Sequence, residues 1–237
     1  MAVDGEKSIK LRLLGNVEVE LDGTVLALGH RQQRLLAALA VLGPRPRRFL
    51  GELLWPDRTA QRAMGSLRTT VFNLSRQVPG AVGARGNNIA LTEAVAVDLH
   101  ELRESLQRAA ATSDAVTEDP WFLAPGGAQL LPGWYDGWVM AEQDRLRTLY
   151  VNAVEHLARL SLEEGDFYRA HMLADNVRAV DPLRESAVRV SIEADLGLGN
   201  NAPALQTFRS FCTTMADELG APPSRQITEL MNDMRSA

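Results

Sequence analysis

The chain has 237 residues and a formal net charge of −5 at neutral pH, a length that suits two domains, each with its own core. It lacks the roughly 18-residue apolar run of a membrane span and the apolar core of a signal peptide, so we expect a cytoplasmic protein with no membrane partner. One cysteine excludes an intramolecular disulfide, and the four scattered histidines lack metal-ligand spacing, so we expect no metal and no other cofactor.

The charge is divided unevenly along the chain. Residues 1–92 contain 13 Lys and Arg against 7 Asp and Glu, a net charge of +6, whereas residues 93–237 have a net charge of −11. Residues 31–92 contain ten arginines and only two carboxylates, Glu52 and Asp57. A basic half followed by an acidic half favours a nucleic-acid-binding module joined to a module with a different partner.

The first predicted elements are three short antiparallel strands. Residues 9–13 and 17–21 alternate apolar and polar side chains, and Asp22 with Gly23 forms a hairpin signal between the second strand and a third one at residues 25–28. These strands predict a small sheet at the start of the chain.

Two helices are predicted next. The apolar spacing over Arg31–Leu42 indicates a helix that leaves Arg31 and Arg34 free for phosphate contact, and the Gly-Pro-Arg-Pro segment that begins at Gly43 ends it. A short helix with an apolar face follows at residues 49–54.

Residues 59–78 carry the pattern around which the N-terminal half is organised. Five apolar residues at helical spacing form the predicted buried stripe: Ala60, Ala63, Leu67, Val71 and Leu74. Roughly opposite lies a second stripe, made only of hydrogen-bonding side chains: Arg62, Ser66, Thr69, Asn73 and Arg76. The segment contains three arginines and no carboxylate, which suits a surface pressed against phosphates and base edges.

We therefore predict that this segment is a recognition helix. Arg62 and Arg76 would hold phosphates, and the remaining residues of the polar stripe would face bases. Arg68 lies beside the stripe, where it would contact the flanking DNA backbone or pair with an acid. The alternative is a solvated surface helix that happens to lack acidic residues.

A hairpin with a Gly/Asn tip is predicted at residues 82–91, and Arg85 at its tip would reach a phosphate or an adjacent minor groove. The alternative role of Arg85 is solubility. Sheet, three helices and hairpin is the order of a winged helix, so residues 1–97 are predicted to form a DNA-binding domain.

The rest of the chain, residues 98–237, is predicted to be an all-α domain. An irregular boundary at 111–135 is too apolar for a free tether and is expected to pack on one or both domains. After this boundary, shifting the sequence by 34 residues against itself aligns similar residues. A spacing of 34 residues is the period of the tetratricopeptide repeat. The matched pairs are Val154 with Val188, Leu162 with Leu196, Gly165 with Gly199, and Ala170 with Ala204.

Four motifs in this order resemble the SARP (antibiotic regulatory protein) type of bacterial activator. They are LLWPD from Leu53, RAMGSLR from Arg62, LLPGWYDGWVMAEQDRLR from Leu130, and DPLRESAVRV from Asp181. The resemblance implies an OmpR-like winged helix followed by a bacterial transcriptional activator domain.

The resemblance also implies how such a protein acts. Its third helix would enter the major groove of double-stranded DNA at direct-repeat promoter sites. It would then recruit RNA polymerase through the sigma or alpha subunit and activate a secondary-metabolite or other pathway operon. Binding to direct repeats is also compatible with self-association on DNA. The chain has no phosphate-binding GxxxxGK[S/T] motif, so it looks like the short form of the family.

One departure and two alternatives remain open. Where many relatives have an RLRR-like end to the recognition helix, this chain has Asn-Leu-Ser-Arg from Asn73, which permits a degenerate winged helix in a protein-interaction module. Four aromatic residues near the boundary could line a pocket for a small-molecule effector or, alternatively, pack in the core: Trp121, Trp134, Tyr135 and Trp138. No catalytic arrangement is apparent, so we expect the chain not to be an enzyme.

Overall fold

The computed structural model describes residues 8–112, 122 and 129–236. These residues are mainly helical with a small β part, which confirms the predicted fold class. The chain forms two compact units. The first comprises the residues up to Leu102 together with Gln129–Gln143, and the second comprises Arg103–Ala128 together with Asp144–Ala237. The domain division after residue 97 stays a prediction.

The first unit begins with the predicted sheet. Its three antiparallel strands are β1 (Ile9–Arg12), β2 (Glu18–Leu21) and β3 (Thr24–Leu26). A strand that the sequence analysis missed, β7 (Val95–Val97), pairs in parallel with β1, giving the order β3-β2-β1-β7. The strict alternation of β1 buries two side chains and leaves the other two exposed, so the sheet has one core face and one solvated face.

Three helices follow the first sheet: α1 (His30–Leu42), α2 (Arg47–Leu54) and α3 (Ala60–Gln77). A second sheet of three strands accompanies them, in the order β4 (Arg45–Pro46), β6 (Asn88–Leu91) and β5 (Val82–Arg85). The hairpin β5–β6 lies where the sequence predicts the wing. Strand β4 was not expected, because the prolines beside Arg45 indicated only a helix break.

The start of α4 (Asp98–Ala111) is tied to the first sheet. The Asp98 carboxylate accepts hydrogen bonds from the backbone N–H groups of Leu13 at 2.9 Å, Leu14 at 3.0 Å and Leu99 at 2.7 Å. One carboxylate thus satisfies donors at the end of β1 and at the start of a helix.

A segment far along the chain also packs on this sheet. The Gln129 carbonyl accepts a hydrogen bond from Gly15 N at 2.8 Å, and Leu131 N donates to the Leu13 carbonyl at 2.9 Å. Leu130 and Leu131 are buried. Residues 129–131 of the predicted boundary therefore belong to the core of the first unit, while most of its residues before 129 lie outside the described chain.

The second unit is helical. It contains the part of α4 from Arg103 onward and the part of α5 (Gly137–Glu163) from Asp144 onward. Its other helices are α6 (Phe167–Val180), α7 (Glu185–Gly197), α8 (Asn201–Leu219) and α9 (Arg225–Ser236). Gly165 ends the turn after α5 at φ 79°, and Gly199 ends the turn after α7 at φ 76°, a conformation that favours glycine. The helix pairs repeat as the 34-residue period predicts.

Close helix approach explains the small residues of this repeat. Ala170 and Ala204 are completely buried at equivalent positions of α6 and α8. A Cβ atom on Gly197 would lie 2.6 Å from the ring of Phe167, so the end of α7 requires glycine to pack against the start of α6. No helix in the described part of the chain is long and apolar enough to cross a membrane.

Candidate nucleic-acid interface

The geometry of α3 depends on its contact with α2. A Cβ atom on Gly51 of α2 would lie 3.4 Å from Met64 Sδ and 3.8 Å from Ala63 Cβ, so α2 and α3 pack at van der Waals distance here. Trp55, at the end of α2, is buried. The side of α3 opposite this contact faces solvent.

The buried side of α3 differs in three positions from the predicted stripe. Ala63, Leu67 and Leu74 are buried as expected, but Ala60 is exposed, Val71 is only half-buried, and Thr70 is buried instead. The Thr70 hydroxyl donates a hydrogen bond to the Ser66 carbonyl at 2.9 Å, so its polar atom is satisfied and its methyl group can pack in the core.

Because Thr70 rather than Ala60 is buried, the exposed face of α3 is centred on other residues than the sequence pattern predicted. At about 100° per residue, the direction opposite the buried residues passes close to Arg76 and Phe72, with Arg68 nearer to it than the sequence pattern suggested. Phe72 is 61% exposed, and the Arg76 guanidinium lies 5.9 Å above its ring. Ser66 falls at the edge of the exposed face.

Most of the predicted contact residues on α3 are accessible. The side chains of five of them are exposed: Arg62, Arg68, Thr69, Asn73 and Arg76. Ser66 is half-buried, and its hydroxyl donates to the Arg62 carbonyl at 3.0 Å and accepts from Arg58 at 2.9 Å. The Thr69 hydroxyl donates to the Gly65 carbonyl at 3.1 Å, which leaves its oxygen able to accept a further bond.

The positive charge on the exposed face of α3 is not neutralised by carboxylates of the same helix. Within the described chain, the guanidinium groups of Arg62 and Arg68 have no hydrogen-bond or ion-pair partner. Glu52 on α2 is bound to Arg48 at 2.8 Å, and this hydrogen bond raises the pKa of the Arg48 guanidinium. No carboxylate of α3 competes for its arginines, so the exposed face attracts anions.

The two arginines of α1 are placed differently. Arg31 is exposed. Arg34 donates to the Leu54 carbonyl at 2.9 Å and pairs with Asp136 at 2.5 Å, and both charged side chains are largely buried. Asp136 lies 102 residues further along the chain, so no local pattern indicated that Arg34 has a partner inside the first unit.

The wing places Arg85 at an exposed tip. The turn after Arg85 contains Gly86 at φ 63°, a left-handed conformation that glycine adopts without strain. Two further arginines at this surface were missed in the sequence analysis. Arg58 is held by Ser66 before α3, and Arg45 on β4 lies 5.8 Å above the half-exposed ring of Phe49.

The aromatic residues considered for a ligand pocket lie in different environments. Trp121 lies outside the described residues. The ring of Trp134 lies 5.5 Å from that of His30, and Tyr135 is 83% exposed. Trp138 Nε1 is buried and has no hydrogen-bond partner within the described ranges of the chain. Among the described residues, no three metal-ligating side chains group closely enough to hold a metal ion.

Comparison with known families identifies the C-terminal part of the chain. Residues 126–235 match the model of the bacterial transcriptional activator domain. The match covers α5 to α9, the helices that contain the 34-residue repeat.

Comparison with whole proteins extends the similarity to the N-terminal part. The regulatory protein AfsR of Streptomyces coelicolor is 25% identical over 97% of this chain, and AfsR of Streptomyces griseus is 25% identical over 94% of it. The chain spans only 24% of the length of either relative.

A solved structure shares the fold over almost the whole chain. The structure of Mycobacterium tuberculosis EmbR in complex with a low-affinity phosphopeptide superposes with a TM-score of 0.74 and 21% identity. The match covers 97% of this chain and 65% of that one.

Proposed function

We propose that this chain, as a member of the SARP-type family of transcriptional regulators, is a sequence-specific DNA-binding activator of transcription. One observation supports the proposal most strongly. The exposed face of α3 presents three arginines and Asn73 with no carboxylate on the helix. In a winged helix this face enters the major groove, where arginines neutralise phosphates and amides read base edges.

The exposure of each side chain suggests which residues would contact DNA phosphates and which would contact bases. Phosphates would be held by Arg62, Arg68 and Arg76 on the helix, by Arg31 at the start of α1 and by Arg85 on the wing. Asn73 and Thr69 would face bases. We assign Ser66 to orienting Arg58 rather than to reading a base, and we leave Arg34 out of the interface because Asp136 already pairs with it.

Asn73→Ala is expected to weaken binding mainly at one base position. An asparagine that bonds adenine through two hydrogen bonds discriminates against other bases by about 1–3 kcal/mol. Affinities of the variant should be measured for a set of duplexes in which each base pair of the site is replaced in turn. The variant should lose its preference at one position and retain it elsewhere.

The matched control is Ser75→Ala, an exposed substitution on the same helix. It should leave the base preferences unchanged. A uniform loss of affinity for Asn73→Ala across all duplexes would remove Asn73 from the base-reading residues and assign it to the backbone contacts.

For activation, we propose that the chain recruits RNA polymerase, through the sigma or alpha subunit, to promoters with directly repeated sites. Residues 93–237 have a net charge of −11, so they would repel DNA and remain free for a protein partner. Two copies bound at adjacent repeats would associate on DNA.

Transcription in a purified system tests this step. Genomic-fragment selection with the full chain first identifies the site, and run-off transcripts are then compared on templates with the selected or a scrambled site. We expect about 5- to 150-fold more transcript from the selected site, the range of a 1–3 kcal/mol coupling free energy. Equal transcript from both templates would contradict activation.

The selection step also separates this proposal from the alternative. Enriched fragments that share a motif repeated about one helical turn apart would support the winged helix as a DNA reader. Weak binding without a shared motif would instead favour a protein-interaction module with a degenerate winged helix.

A further inference from the structure

The second unit contains a cavity that the proposed function does not use. It has a volume of about 500 Å³ and lies among α6, α7 and α8. Its lining combines apolar surface with charged and polar side chains: His171, Asp175 and Arg178 of α6, Asp195 of α7, and Gln206 and Ser210 of α8. A volume of this size is typical of sites for small molecules or single side chains.

Asp195 is the unusual group in this lining. The residue is only 3% exposed, and its Oδ2 atom has no hydrogen-bond partner among the described residues. Burial raises the pKa of the Asp195 carboxyl, and nearby Asp175 raises it further, whereas His171, Arg178 and Asn200 oppose the increase. A buried carboxylate oxygen without a donor is costly unless something supplies one.

The neighbouring charges are already engaged with each other. Arg178 donates to Asp175 at 2.6 Å and to Ser191 at 3.3 Å. His171 lies between the two carboxylates, with Nε2 at 3.2 Å from Asp175 and Nδ1 at 3.5 Å from Asp195 Oδ1. The permanent positive charge of Arg178 is therefore committed to Asp175, and Asp195 Oδ2 is left without a hydrogen-bond donor among the described residues.

We propose that this cavity binds an organic cation, an ammonium or guanidinium group whose N–H donates to Asp195 Oδ2. Such a group supplies both the missing donor and the missing positive charge, while Gln206 and Ser210 can bond the remainder of the ligand. A hydrogen-bonding cation fits better than a metal ion, because the described residues provide no group of three ligands. The cation belongs either to a free amine or to a basic side chain of a protein partner.

Calorimetric titration of the full chain tests the proposal with two probes. Agmatine represents a free small molecule, and the peptide acetyl-Gly-Arg-Gly-amide represents a basic side chain. We expect at least one probe to bind, and the corresponding neutral peptide with citrulline in place of arginine not to bind. Asp195→Asn keeps the shape but removes the charge, and should weaken binding by roughly 10- to 100-fold, as the loss of a charged hydrogen bond does.

Glu193→Gln is the matched control, because it removes one carboxylate from the same helix where Glu193 pairs with Arg189 outside the cavity. It should bind as the parent does. Ser210 is an exposed residue of the cavity lining, and Ser210→Trp should block binding without changing Asp195. This variant provides the test if Asp195→Asn does not fold.

The outcomes separate the two sources of the cation. Binding of agmatine alone supports a small-molecule effector, and binding of the peptide alone supports a partner protein with a basic side chain. Binding of neither probe overturns the proposal, as does binding that neither Asp195→Asn nor Ser210→Trp weakens. The test concerns only the second unit and does not depend on DNA binding.

Discussion

Joint replacement of Arg62, Arg68 and Arg76 by alanine is expected to lower affinity for the selected DNA site by two to three orders of magnitude at about 0.1 M salt. Each phosphate contact contributes about 0.9 units to the slope of log affinity against log salt, so the slope should fall by about 2.7 units. The affinities should be measured by fluorescence anisotropy at several salt concentrations, with parent and variant compared on the same duplex.

The variant with Arg12→Ala provides the control for this experiment. Arg12 is an exposed arginine of β1 that pairs with Glu18 and Glu20 at 3.4 Å, so its loss removes the same charge outside the proposed interface. It should leave the slope unchanged. A triple variant with the parent's slope would show that α3 does not face phosphates and would contradict the proposed docking of the winged helix.

The elements of the first unit that local sequence pattern determines were predicted well. Helices α1 to α3, strands β1 to β3 and the wing hairpin lie within a few residues of their expected positions. Strands β4 and β7 were missed, since two- and three-residue segments are too short to show a period. Their pairing partners, β6 and β1, lie far away in the chain. Because strand pairing over such a distance depends on the tertiary fold, it leaves no pattern in the local sequence.

In the candidate site, too, local sequence pattern predicted which side chains are exposed but not which distant residues they contact. Periodicity predicted the exposure of Arg62, Thr69, Asn73 and Arg76, because exposure follows from helical geometry alone. It did not predict that Ser66 holds Arg58, or that Arg34 pairs with Asp136. Both depend on which residues tertiary packing brings together, and hydrogen bonds to residues outside the helix have no spacing rule.

The second unit was more predictable because its architecture repeats. A 34-residue period implies equivalent packing in each copy, so Gly165 and Gly199, which lie one period apart, correctly indicated two equivalent turns. The cavity around Asp195 was not predicted. Its residues come from three helices, and nothing in the sequence distinguishes Asp195 from an aspartate on a solvated helix face.

Leu131→Ala is expected to destabilise the first unit by about 2–5 kcal/mol, the usual cost of truncating a fully buried leucine. Leu131 is completely buried, its N–H donates to the Leu13 carbonyl at the end of β1, and its own carbonyl accepts from Trp134 N at 3.1 Å. Hydrogen exchange should show the change as lower protection of amides in β1 and β2. Protection in α7, which belongs to the second unit, should be unaffected.

Tyr135→Ala is the matched control in the same segment. Tyr135 is 83% exposed, so its truncation should change the free energy of unfolding by less than about 0.5 kcal/mol. If Leu131→Ala has an equally small effect on β1 and β2, the winged helix is complete without residues 129–143, as a domain end at residue 97 implies. A loss of protection would mean that a fragment ending near residue 97 lacks part of its own core, so DNA binding should be studied in the full chain.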